Sequence, residues 1–168
     1  MEFIAVIVVI IFLLVMMNSK LSARKTPALR PSERQLDLVA KNEFKKRKLM
    51  NKEEYALYKA LEKSLKASRA DLLLFPQVSL GEIISSENKS AYFCINSKRA
   101  DFIIISRFGD PLAVIEYQGN AHYQGNAIVR DAVKKEACRK AGIAYMEITP
   151  GYSNDDLAML VNRLPAKI

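Results

Sequence analysis

The chain has 168 residues, half of them hydrophobic, with two cysteines and a formal net charge of +8. Its length suits one domain of ordinary size with some chain left over. Cys94 and Cys138 lie far apart at no metal-ligand spacing, which argues against a disulfide framework and for a reducing compartment. The charge is unevenly spread: residues 18–70 hold 15 Lys/Arg against 6 Asp/Glu, whereas residues 71–168 hold 11 against 11. The basicity belongs to the N-terminal third, so the high pI does not by itself make the C-terminal part a nucleic-acid binder. Anionic lipid headgroups explain a basic segment beside a membrane equally well.

Residues 3–17, FIAVIVVIIFLLVMM, are consecutively apolar. As a helix they span about 22 Å at roughly 1.5 Å per residue. That is short of a bilayer core of about 30 Å, but Met1, Glu2, Asn18 and Ser19 extend the run and Lys20 can snorkel. No basic stretch precedes it and no small-x-small site follows closely, so a cleaved signal peptide fits worse. Lys20, Arg24 and Lys25 follow it, and the positive-inside rule then puts the N-terminus outside and the C-terminal part in the cytoplasm. The expectation is one transmembrane helix at residues 1–19, a single-pass anchor in the inner (cytoplasmic) membrane. A basic linker at 20–44, broken by Pro27 and Pro31, and a domain at 45–168 follow. The charge run KNEFKKRK reads as a solvated face, or as a segment drawn to anionic lipid or nucleic acid.

From Asn51 the pattern becomes helical, with Leu57, Leu61 and Leu65 at four-residue spacing and Asn51 and Glu54 at N-cap and N3. This helix should end near Ser68. LLLFPQVSL gives one or two short strands around Pro76, and GEIISSENKSAYFCINSK stays open as loop with a short element. ADFIIIS (100–106) and PLAVIEYQ (111–118) are strands joined by the turn RFGD. AIVRDAVKKEACRKA (127–141) is an amphipathic helix with Val129, Ala132, Val133 and Cys138 on its buried side, and Gly142 suits its C′ position. IAYMEI (143–148) is a strand, and Ser153 caps a last helix with Asp155 and Asp156 in its first turn. A central hairpin, a helix and a returning strand make a mixed α/β sheet flanked by helices.

Chemistry concentrates where the strands end in acids. If Phe108-Gly109 is a two-residue turn, Arg107 pairs with Asp110 and Asp101 lies opposite Glu116. Opposed residues share a face with Cβ atoms about 4.5–5.5 Å apart; a longer or bulged turn would shift the count. Two facing carboxylates repel, and a shared proton or a bound divalent cation such as Mg²⁺ offsets this. Gln118 leans to the same side and can orient a water. The plainer alternative leaves either acid at a solvent-exposed strand end.

The residues ADFIII, PLAVIEYQGNAH and RDAVKKEACRKAGIAYMEI resemble the PD-(D/E)xK restriction-endonuclease-like superfamily. Within it they are most similar to the group catalogued as domain of unknown function 2726, over roughly residues 45–150. The resemblance implies a restriction-endonuclease-like mixed sheet and Mg²⁺- or Mn²⁺-dependent hydrolysis of phosphodiester bonds. It makes Asp101 and Glu116 the metal-holding acids and sets Gln118 where the superfamily usually has lysine. Glu54 matches an acid from the first helix, His122 a histidine after the glutamate strand, and Arg130, Asp131 and Lys134 the polar side of the next helix. Gln118 can make the lysine's hydrogen bonds without its charge, which Arg130 or Lys134 could supply.

Each supporting residue also has a plainer reading: Glu54 as the capping partner of Asn51, His122 as an exposed loop residue, and Arg130 and Lys134 as a solvated helix face. The expectation is a membrane-anchored, metal-dependent nuclease acting on DNA, with Arg130 and Lys134 contacting nucleic acid; the sequence does not give the oligomeric state, though many nucleases of this shape pair as a homodimer to cut both strands. Two alternatives stand beside it. One is a nuclease-like module without catalysis that binds nucleic acid or protein at the membrane. The other is an assembly protein whose basic linker holds anionic lipid.

Overall fold

The computed structural model describes residues 31–119 and 126–164. The expected anchor at 1–19, the first part of the linker and His122 lie outside the described residues. Among the described residues no helix is long and apolar enough to cross a membrane. The chain divides into two compact units between Lys46 and Arg47. In the first, the stretch read as linker contains a helix, α1 (Pro31–Lys41), none of whose residues is buried. Pro31, taken above as a breaker, instead opens it, because the first helical residue needs no N–H partner and proline presets its φ.

The second unit holds an α/β fold of the elements α2 (Lys52–Ser68), β1 (Leu72–Ser79), α3 (Lys89–Ile95), β2 (Arg99–Ser106), β3 (Pro111–Tyr117), α4 (Asn126–Ala141), β4 (Ala144–Ile148) and α5 (Asn154–Asn162), with a 3-10 turn at Leu80–Glu82. One four-stranded sheet runs in the order β1-β2-β3-β4. β1, β2 and β3 are antiparallel neighbours, and β4 returns parallel to β3 through α4. The open stretch of sequence therefore supplies α3, started by the Asn88 side chain accepting from the Ala91 N–H at 3.1 Å.

Both faces of the sheet are covered, which is why β3 is buried almost along its whole length. On one face α2 and α5 pack through Leu57, Leu61, Leu65, Leu157 and Val161 onto Phe102, Ile104 and Ile115. On the other, α3 and α4 bring Ile95 and Cys138 onto Ile103 and Val114. The buried stripe of α4 differs from the expected one. Val129 is 64% exposed and Ala132 is exposed, while Lys134 and Cys138 point inward. At about 100° per residue, Val129 and Ala132 stand roughly 140–160° round the helix from Lys134. Counting apolar residues alone misplaces a helix whose inward face is anchored by a buried cation.

The hairpin between β2 and β3 sets the site. Its turn has three residues, not two: the Gly109 N–H donates to the Ser106 carbonyl at 3.0 Å and the Ser106 N–H to the Asp110 carbonyl at 2.9 Å. Gly109 takes φ +96°, a left-handed conformation that disfavours residues with a Cβ. Ile105 then pairs with Pro111 but Ile104 with Ala113, so Leu112 is the extra residue of a β-bulge. The longer turn and the bulge offset one another. Phe102 faces Ile115, and one step further the register sets Asp101 opposite Glu116, the expected pairing reached by a different route.

Candidate functional site

Asp101 and Glu116 stand on adjacent central strands. Alternation along β3 sends Ile115 and Tyr117 to the α2/α5 side and leaves Val114 and Glu116 on the α3/α4 side. Asp101 is directed by the backbone: its Oδ2 accepts from the Tyr117 N–H at 2.9 Å. That bond spans the hairpin and holds the carboxylate against the end of β3. Gln77, which the register of β1 sets opposite Asp101, has φ +58° and is the non-glycine residue with a left-handed backbone among the described residues. Such a conformation costs roughly 1–2 kcal/mol. It lies beside one of the two acids.

Glu116 is 4% exposed. Its Oε2 lies 2.6 Å from the ammonium of Lys134, which reaches down from α4 and also meets Asp131 Oδ1 at 3.1 Å. Lys134 itself is 8% exposed, so it sits under the helix and not on a solvated face. Burial, opposed by the Lys134 ammonium and helped by the Asp101 and Asp131 carboxylates, raises the Glu116 carboxyl to about 7. Burial also disfavours the Lys134 ammonium, but Glu116 and Asp131 outweigh it and hold that amine above its ordinary value. A second oxygen, Glu116 Oε1, is buried without a hydrogen-bond partner, and so is the Tyr145 hydroxyl on β4.

The other expected residues divide. Gln118 follows the end of β3 and is half-buried, its N–H donating to the Ile148 carbonyl at 2.8 Å. Arg130 is exposed. Glu54 forms the capping box of α2, its Oε2 accepting from the Asn51 N–H at 2.9 Å while Asn51 Oδ1 accepts from the Glu54 N–H at 2.8 Å. The α2 carboxylate that reaches the end of β3 is its neighbour Glu53, whose Oε2 is 3.9 Å from a Cβ built on Gly119. Burial and then the Glu53 charge push the Tyr117 phenol up. Sequence reasoning passed over Glu53 and Tyr145. The alternation of β4 with Val114 opposite Tyr145 was the signal available for the second.

The donor set suits a hard cation in part. Asp101 has one oxygen on the Tyr117 N–H and Glu116 has one on Lys134, which leaves one carboxylate oxygen on each. Mg²⁺ characteristically takes one or two carboxylates and keeps several waters. Among the described residues no group of three or more His, Cys, Asp or Glu side chains gathers to hold a metal.

Comparison with known proteins gives a family. The family model described as protein of unknown function (DUF2726) matches residues 46–164. A Haemophilus influenzae protein carried as an uncharacterized protein is 49% identical over 129 residues, 77% of this chain and 68% of the relative. A Sinorhizobium fredii protein, uncharacterized protein y4bI, is 41% identical over 125 residues, 74% of this chain and 91% of that one. No solved structure matches the chain. The match spans α2 through α5 and takes in Asp101, Glu116, Asp131 and Lys134 together, and the chain belongs to this family of unknown function, DUF2726.

Proposed function

We propose that this domain is a restriction-endonuclease-like, metal-dependent nuclease of the PD-(D/E)xK kind, hydrolysing phosphodiester bonds in DNA, and that residues 1–19 anchor it to the inner membrane. One observation carries the reading: a buried carboxylate, Glu116, paired with a buried lysine and set beside Asp101 on the adjoining strand. Burying these charges is costly, and a fold that needed only stability would fill the space with apolar side chains. Perturbed, partly compensated carboxylates are what a hydrolytic site requires. The charge that Gln118 lacks comes from α4 through Lys134.

Asp101 and Glu116 would hold a Mg²⁺ or Mn²⁺ ion through the carboxylate oxygens that Tyr117 and Lys134 leave unused. Such an ion supplies positive charge to the phosphate and lowers the pKa of attacking water. The chain's own residues orient and neutralise. The Tyr117 N–H fixes Asp101, Lys134 fixes Glu116 and offsets negative charge, and the Gln118 amide would orient a water. The test is cleavage of supercoiled and single-stranded DNA by the full-length protein with Mg²⁺ or Mn²⁺, wild type beside Asp101→Asn. Asparagine keeps an oxygen for the Tyr117 N–H but loses the charge, and a drop of at least about a hundredfold is expected from losing one charged group at such a centre. Wild-type protein inert with every divalent metal, or a variant equal to it, overturns the reading.

A second reading, a docking module without catalysis, is favoured by a groove of about 680 Å³ between α3 and α4, lined by Ile84, Ile95, Ile128, Val129 and Val133. Ile128 and Val129 are each more than 60% exposed there. Calorimetry that detects no Mg²⁺ or Mn²⁺ binding would favour this module.

A further inference from the structure

Two buried polar atoms lack partners among the described residues, Glu116 Oε1 and the Tyr145 hydroxyl. Val114 is the partner of Tyr145 in the β3–β4 ladder, so Tyr145 projects from the α3/α4 face, the face that carries Glu116 two residues further along β3. Glu116 and then Asp131 are the charges that act most strongly on the Tyr145 phenol, after burial itself. Lys134 adds a third element. Its ammonium has three N–H donors; one meets Glu116 Oε2 and one meets Asp131 Oδ1. Among the described residues one donor remains on Lys134, one on Tyr145, and one acceptor on Glu116.

An orphaned buried polar group is destabilising, and native proteins rarely keep two without a partner for either. Tyrosine on β4 could have been phenylalanine, which fills almost the same volume with nothing to satisfy. A single water would meet all three needs, accepting from the Tyr145 O–H and from the remaining Lys134 N–H and donating to Glu116 Oε1. Buried waters characteristically make about three such bonds. We infer that a water is bound between Tyr145, Lys134 and Glu116, and that through it Tyr145 is a positioning residue for the Glu116 carboxylate. Lys134 then fixes one oxygen of Glu116 and the water fixes the other. A carboxylate oxygen has two lone pairs, so Oε1 keeps one for a cation. The consequence for cation binding rests on the metal-dependent reading above; the water site does not.

Two measurements test this. A high-resolution crystal structure of the full-length wild-type protein should show ordered solvent within hydrogen-bond distance of both Tyr145 Oη and Glu116 Oε1. A direct Tyr145–Glu116 hydrogen bond, or no solvent there, overturns the inference whatever the protein does to DNA. Calorimetry with Mn²⁺ alone then compares wild type, Tyr145→Phe, Glu116→Gln and the double variant. Groups that orient a metal ligand are typically worth about 10–100-fold in affinity. Tyr145→Phe should weaken Mn²⁺ binding by at least about tenfold in the wild-type background and add nothing to Glu116→Gln. Equal affinity of Tyr145→Phe and wild type removes the positioning role. A wild type that binds no Mn²⁺ defeats the metal-dependent reading, and the solvent peak alone then decides the inference.

Discussion

Replacing Glu116 by glutamine should make the protein more stable at neutral and alkaline pH. Burial raises the Glu116 carboxyl from an ordinary 4.5 to about 7 in the folded state, despite the Lys134 ammonium beside it. The folded chain therefore holds a proton that the unfolded chain has already lost. The stability this proton contributes is fully present below pH 4.5 and is lost as pH rises through 7. The contribution is on the order of 3 kcal/mol. Glutamine resembles the protonated acid in size and does not titrate. The variant's advantage should be small at pH 5, reach about 3 kcal/mol near pH 7 and level off above pH 8. Urea unfolding of both proteins from pH 4.5 to 8.5 reads this directly. If Glu116→Gln is instead destabilised at pH 8 and the gap closes toward pH 4.5, the ion pair with Lys134 outweighs burial. The carboxyl would then sit below 4.5, and the claim that Glu116 is kept at the expense of stability would be wrong.

The remaining predictions concern residues whose roles the geometry separates. Glu54→Gln should cost less than about 1 kcal/mol in thermal unfolding and leave the proposed DNA cleavage unchanged, because Glu54 serves the α2 cap; loss of cleavage at unchanged stability would return it to the proposed site. Gly109→Ala should cost about 1 kcal/mol, set by its left-handed φ since nothing crowds a Cβ there, and an unchanged unfolding midpoint would mean the turn relaxes.

The fold was legible where the pattern was apolar and periodic. Leu57, Leu61 and Leu65 define α2 by spacing alone, and the runs in β2 and β3 define the hairpin because both faces are buried. The facing of Asp101 and Glu116 was reached from a turn of the wrong length. A three-residue turn shifts the register by one, and the bulge at Leu112 restores it. Neither feature has a sequence signature sharp enough to count from, so the pairing was right through two offsetting terms. The face of α4 was misread for a different reason. Apolar periodicity assumes that charged residues point outward, and Lys134 does not, because Glu116 gives it a partner inside. A lysine on a helix has no local signal for burial; the signal is a carboxylate at the end of an apolar strand elsewhere in the chain.

That partnership bears on how a site can change its layout while keeping its electrostatics. A lysine two residues after the glutamate on β3 would hang from the strand that carries Glu116. Here Gln118 occupies that place and Lys134 approaches from the helix above. The ammonium reaches the same carboxylate from across the layer, with Asp131 one helical turn away sharing it at 3.1 Å. What the proposed hydrolysis would need is a cation within hydrogen-bond distance of the acid in a poorly solvated place, where charges act strongly on one another. The strand and the helix can each provide it, because α4 packs directly over β3 and β4. The choice has a structural consequence. A strand lysine depends on the register of one ladder, whereas Lys134 ties α4 to the sheet, so the position of the helix and the charge state of the site become one property. Removing the Lys134 ammonium should therefore loosen α4 as well as unbalance Glu116, and faster amide exchange along α4 than along α2 in Lys134→Met is the outcome that follows; equal protection of both helices would mean the pair neutralises charge without holding the helix.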